Sequence, residues 1–148
     1  MTGYPTDAIG SRLAPACVDV VLPVRTVSES NMREHWSTRA KRTAKARGCT
    51  KLALSGRLTG LVRPGRCMAV LVILTRYAPS SGLDDDNLRG ALKATRDGVA
   101  DALGLDDGDV RIAWEYGQED SRKLVKGTPR RAACVRGYGV RVQVLRRA

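Results

Sequence analysis

Residues 68–110 read MAVLVILTRYAPSSGLDDDNLRGALKATRDGVADALGLDDGDV. The first eleven form a continuous apolar run, the pattern of a strand at the centre of a sheet. After the PSSG loop the spacing predicts a helix from about Asn87 to Leu103. At about 100° per residue, Leu88, Leu92, Val99 and Leu103 cluster on one side, while Asp86, Lys93 and Asp97 fall within roughly 40° of one another on the other. One side is core. The other is a charged stripe in which Lys93 and Asp97, four residues apart, can pair. LGLDDGDV then turns the chain.

To the N-terminal side, CVDVVLP (17–23) is a short β-branched strand closed by Pro23. SESNMREHWSTRAKRTAKARGC (28–49) is a helix of good formers, with Ser28 or Ser30 as its cap, and RPGRC (63–67) is a turn. To the C-terminal side, VRIAWEYGQ (110–118) alternates as a strand and EDSRKLVKGTPRRAA (119–133) is a polar, basic loop. CVRGYGVRVQVLRR (134–147) alternates Val and Leu with Arg in a final strand, and charges on one face are the ordinary guard of a sheet edge. The order is β-α-β-α-β-β. It predicts one small α/β (α+β) domain over 17–148, a mixed sheet of about four strands packed with two main helices, behind a loose tail at 1–16.

The chain has 148 residues, 43% apolar and 28% charged, which suits a single globular domain. Phe is absent and aromatics are 4%, so Leu, Val, Ile and Ala build the core and binding by stacking on many aromatics is disfavoured. The net charge of +11 and pI near 10.2 produce a field that attracts polyanions, nucleic acid first among them. Much of this charge lies between Arg33 and Arg57, where Glu34 is the single acid. Cys17, Cys49, Cys67 and Cys134 are scattered singly and His35 is the one histidine, which argues against a structural zinc. Without a membrane-length apolar run or a signal-like N-terminus, the chain reads as cytoplasmic, with reduced thiols and no membrane partner.

Against that basic background, Asp84 to Asp109 holds eight Asp against Arg89, Lys93 and Arg96, an excess of five negative charges that leaves +16 on the rest. A single Asp suffices to cap a helix. Three at a helix start, with Asp106 and Asp107 just past its end, exceed that need. In an extended D-x-D segment Asp84 and Asp86 lie on the same side and Asp85 on the other. The outer two can then share a hard cation such as Mg²⁺, and Asp85 is the dispensable member. A basic protein with such a site points to metal-assisted phosphodiester chemistry. There is no EF-hand closure, P-loop or G-x-G-x-x-G, and one His gives a nucleophilic triad little support. His35 reads as a helix-surface or DNA-facing residue.

LDDDNLRGALKATRDGVADALGLDDGDV resembles the signature of RusA-like Holliday junction resolvases, common in phages and prophages: an acidic D-x-D-N, a helix carrying a Lys and an Asp, and a downstream D-D before a strand. LPVRTVSESNMREHW (22–36) is similar to that family's Leu-Pro, short loop and Asn ahead of a basic helix. The resemblance implies a symmetric homodimer that nicks branched DNA, the four-way junction above all, with Mg²⁺ and with Mn²⁺ as a substitute. It assigns the metal-binding carboxylates to Asp84, Asp86 and Asp107, with Asp106 as the near alternative to the last, and gives Asn87 the task of fixing the loop. The family's Lys lies nearer its D-x-D-N, at the position of Gly90. An extra helical turn here brings Lys93 and Asp97 into register; otherwise Arg89 is the active-site cation. In the mechanism so implied, Lys93 stabilises developing charge, Asp97 holds Lys93, and Arg39, Lys41, Arg42, Lys45 and Arg130 contact the DNA backbone. The alternative is a non-catalytic DNA- or RNA-binding protein on the same fold.

Overall fold

A computed structural model describes residues 18–28, 33–58, 61–63, 66–67, 69–80 and 82–147, with backbone alone at 62–63 and 66–67. The elements are β1 (Val18–Leu22), α1 (Trp36–Leu54), a two-residue pair β2 (Val62–Arg63) and β3 (Arg66–Cys67), β4 (Val70–Ala78), α2 (Asp85–Leu103), β5 (Ile112–Asp120), a 3₁₀ turn at Ser121–Lys123, α3 (Pro129–Ala133) and β6 (Gly139–Arg146). The expected tail at 1–16 and the candidate cap Ser30 lie outside the described residues.

The main sheet is mixed and four-stranded, in the order β1-β6-β4-β5. β4 runs parallel to β5, with Val70 opposite Ile112 and Ala78 opposite Asp120. It runs antiparallel to β6, which in turn runs antiparallel to β1. Every residue of β4 is buried, Thr75 and Arg76 included, as the apolar run at its start predicts for an interior strand. β6 is interior as well, which corrects the reading of its arginines as an edge guard. Val140, Val142 and Val144 enter the core while Arg141 turns to the other face. There Arg141 donates to both carboxylate oxygens of Asp19 at 2.8 and 2.7 Å. The charge is spent on a neighbouring strand.

Two helices cover one face of this sheet. Val70, Val72 and Leu74 of β4 and the β6 valines pack with Leu54 of α1 and Leu88, Leu92, Val99 and Leu103 of α2. α1 meets α2 at Gly98, where a Cβ would stand 2.6 Å from the carbonyl oxygen of Arg47 and 2.7 Å from Thr50 Cβ. Arg47 donates to both oxygens of Asp101 at 2.6 and 2.8 Å and clamps the same crossing.

α1 begins later than its composition suggests. His35 caps it, its Nδ1 accepting from the Ser37 backbone N–H at 3.2 Å, and Ser28 stands in the preceding connection. α2 begins earlier, at Asp85, and ends on Gly104 in the left-handed region (φ 70°). The N–H of Leu105 reaches back to Ala100 O there, the closure that favours glycine at a helix end. The polar segment after β5 is more ordered than a loop: Asp120 caps the 3₁₀ turn, and Pro129 starts α3 from a Thr128 cap. Cys49 and Cys134 are free thiols. None of the described helices is long and apolar enough to cross a membrane.

Candidate nucleic-acid interface and carboxylate site

The acidic end of α2 lies where the parallel strands β4 and β5 finish. The Gln118 side chain accepts from Leu83 N–H at 2.8 Å and donates to Leu83 O at 2.6 Å, fixing the approach to the helix. The close fit uses Gly82, whose φ of 119° suits only glycine and whose Cβ would meet the Gln118 amide at 3.2 Å. Asp84 then caps α2, its Oδ1 accepting from Asn87 N–H at 2.9 Å. Asn87 Oδ1 accepts from the Ser28 hydroxyl at 3.2 Å, so it ties the β1–α1 connection to this helix end.

Asp84, Asp85 and Asp86 are all exposed. Asp85 and Asp86 are helical, so the segment is not the extended D-x-D that the pleat argument supposes. Capping and the dipole, which favour carboxylates at a helix start, place Asp84 at the cap and Asp85 and Asp86 in the first turn. Asp85 instead lines a groove of about 360 Å³ with Leu88, Arg89, Trp114, Glu115 and Tyr116.

Midway along α2, Lys93 and Asp97 pair as their spacing predicts, Nζ to Oδ1 at 2.6 Å. Lys93 also donates to Asp107 Oδ2 at 3.0 Å. The bond to Asp97 is the main reason the Lys93 ammonium is held above its ordinary range, and Asp107 adds to it. The same ammonium holds the Asp107 carboxyl below the usual range. Arg96 completes the group. Its Nε stands 3.2 Å from Asp107 Oδ2, its other nitrogens donate to Tyr116 Oη at 2.6 Å and Asp107 O at 3.0 Å, and its guanidinium lies 4.7 Å from the Trp114 ring centre. Trp114 Nε1 donates to the same Asp107 carbonyl at 2.9 Å. Sequence reasoning does not single out Arg96, Trp114 or Tyr116. Arg96 follows Lys93 by one turn, but its partners are reached only through β5, and a low aromatic content gives no reason to look there. Arg89 stacks 5.4 Å from the Tyr116 ring centre.

The expected carboxylate set is thus divided. Asp107 is held at Lys93, seven residues of helix beyond Asp86, about 10 Å along the axis. Among the described residues no group of three or more His, Cys, Asp or Glu could hold a metal. Asp84 and Asp86 remain as a pair of carboxylates outside that cluster. Both are exposed oxygen donors at one helix start, Asp84 keeps a second oxygen beyond its cap bond, and Mg²⁺ commonly takes one or two carboxylates with waters and substrate phosphate oxygens. Asp107, tied to two cations, is not arranged to join them in this conformation. Asp106 is exposed.

Beside the stripe, α1 and α2 splay into an open groove of about 390 Å³ lined by Val24, Arg25, Thr26, Arg39, Arg42, Thr43, Ala46, Gly90, Ala91, Lys93, Ala94, Thr95 and Asp97. Gly90, where the resemblance would place a lysine, lines this groove, and a Cβ added there would have nothing within 4 Å. Of the expected DNA-contacting residues, Arg39 and Arg42 line it; Arg42 also pairs with Glu34. Lys41 and Lys45 are exposed on the same helix. Arg130 belongs elsewhere. It neighbours Tyr77, which alternates with the core residues of β4 and so faces away from the helices.

No family model matches the chain. It is 42% identical over 79 residues to an uncharacterized protein of Xylella fastidiosa (strain Temecula1 / ATCC 700964), an alignment covering 52% of this chain and 51% of that protein. The match therefore spans about half the length of each.

Proposed function

We propose that the protein is a metal-dependent endonuclease of the RusA-like type, acting on branched DNA. The observation that carries this reading is α2 itself, which starts with the exposed carboxylates Asp84 and Asp86 and then bears, on the face of Asp86, the Lys93–Asp97–Asp107 cluster and the wall of a cationic groove. A phosphodiester backbone drawn to the groove by Arg25, Arg39 and Arg42 passes within reach of the carboxylates, which repel it unless a cation intervenes.

Asp84 and Asp86 would hold Mg²⁺, or Mn²⁺ in its place, with Asp106 or a released Asp107 as a further donor. When bound, the ion supplies charge neutralisation at the scissile phosphate and an acidified water. Asn87 keeps the helix start docked on the Ser28 connection. Lys93 carries the positive charge nearest the carboxylates along the stripe, Asp97 positions it, and Arg89 at the start of the same helix is the second cation available to a phosphate. A homodimer would present two such faces for paired cuts on opposite strands.

The held position of Asp107 favours one further reading, a nucleic-acid-binding protein on the same fold that does not cut. The two separate when a labelled four-way junction, a linear duplex and a single strand are each incubated with Mg²⁺ and with EDTA. Cutting of the junction alone, with Mg²⁺ alone, is the expected result. Binding of all three substrates without cleavage would replace the nuclease by the binding protein.

A further inference from the structure

Behind the groove lies a charge that the nuclease reading does not use. Arg76 stands on β4 in the alternation that follows Val70, Val72 and Leu74, so it points to the helix-covered face. The residue is only 6% exposed. Its Nε donates to Thr26 Oγ1 at 2.9 Å, and among the described residues no carboxylate pairs with it. Burial pushes the guanidinium below its ordinary range, with Tyr138 alone acting the other way. Thr26, its single hydrogen-bond partner among the described residues, lines the groove. The adjacent Arg25 is exposed, also lines the groove, and stacks 4.8 Å from the ring centre of Tyr138.

A guanidinium taken out of water without a counterion costs several kcal/mol, and arginine stays protonated, so it cannot escape by neutralising. Among the described residues, one of the five N–H groups of this planar fork is occupied, and an oxyanion accepting two bonds in parallel matches the fork best. Other cations line the groove in front of it, so the missing partner is an anion. On the nucleic-acid reading, that anion is a backbone phosphate.

We infer that Arg76, which does not itself line the groove between α1 and α2, forms with the groove residues Arg25 and Thr26 a phosphate-binding subsite at the edge of that groove, where one backbone phosphate of the bound nucleic acid is the counterion of the buried guanidinium. The inference rests on the nucleic-acid reading, and it makes the groove a site that fixes register, distinct from the diffuse field of the α1 cations.

The test uses the full chain and two probes, inorganic phosphate and a short DNA duplex. At constant ionic strength, exchanging chloride for phosphate should raise the melting temperature of the wild type. Arg76→Met removes the charge at similar volume. Without ligand it should melt no lower than wild type, because replacing a buried charge by an apolar group is often neutral or stabilising. It should lose the phosphate-dependent rise and bind duplex roughly tenfold more weakly, the scale of one or two charge-assisted hydrogen bonds. Arg25→Gln, at an exposed position, should also reduce the phosphate response, which keeps the test decisive if Arg76→Met fails to fold. A response to phosphate in Arg76→Met equal to that of wild type overturns the subsite. So does an unchanged response in Arg25→Gln where Arg76→Met does not fold. Equal duplex binding by wild type and Arg76→Met removes the subsite and leaves the nuclease reading standing. A phosphate response confined to wild type, with no DNA bound at all, keeps the subsite and removes the nucleic-acid reading.

Discussion

α1 and α2 are each 19 residues long and lie on the same face of the sheet, yet they are built to opposite ends. α2 buries Leu88, Leu92, Thr95, Gly98, Val99, Ala100 and Leu103. α1 buries only Thr50 and Leu54, both in its C-terminal half, and from Trp36 to Leu54 it carries Arg39, Lys41, Arg42, Lys45, Arg47 and Lys51 with no acid. α2 is held by the core and so can hold chemistry in place. α1 is held at one end by the Gly98 crossing and the Arg47–Asp101 clamp, and its other half carries charge. A helix that positions reacting groups needs a buried face; one that supplies long-range attraction to a polyanion needs only cations in water.

Leucine truncation should expose the contrast most strongly. Leu92→Ala, at a fully buried position, is expected to lower the unfolding free energy by about 2–5 kcal/mol in denaturant titration. Leu52→Ala on α1, where the side chain is 78% exposed, should change it by no more than about 0.5 kcal/mol. Comparable losses at both would mean that α1 has an apolar partner this account omits.

The two glycines of α2 give a smaller effect of opposite signs. Gly98→Ala forces a methyl against the Arg47 carbonyl and Thr50, and this overpacking, about 1–3 kcal/mol, should outweigh the roughly 1 kcal/mol gained by removing a helical glycine. Gly90→Ala meets nothing within 4 Å and should keep the gain. Thermal melts of the pair check the helix crossing, and a stabilising Gly98→Ala would refute it. Smallest in stability is the joint change of Arg39, Lys41 and Arg42 to Gln. It should lower the melting temperature by no more than the loss of the half-buried Arg42–Glu34 pair accounts for, while flattening the dependence of log K for DNA on log salt by up to about 3. An unchanged slope would remove α1 from the interface.

The parts of the molecule governed by period are legible in the sequence. The continuous run of β4, the leucine face of α2 and the Lys93–Asp97 pair follow from geometry along one element. What depends on contacts between elements is not. Arg141 and Gln143 alternate with valines as they would on an edge, and only the pairing of β6 with both β1 and β4 shows it to be interior. The aspartates at 84–86 read as extended because nothing local reveals that Gln118, 35 residues on, fixes Leu83 and lets the helix start at once. Asp107 lies where the D-D pattern puts it in the chain. Its carboxylate is nevertheless engaged by Lys93 and Arg96, and no spacing rule along the helix foretells the second of these. Arg76 reads as part of an apolar strand, and its burial beside Thr26, with no carboxylate among the described residues paired to it, is visible only in the folded structure.

The central claim is that the acidic start of α2 performs chemistry on a backbone that the basic surface recruits. It is tested most directly by Asp86→Asn, assayed side by side for binding and for Mg²⁺-dependent cutting of a four-way junction. The change leaves the Asp84 cap and the buried face of α2 untouched, so affinity for the junction should match or slightly exceed that of wild type while cutting is lost. An Asp86→Asn protein that cuts the junction as fast as wild type would contradict the account.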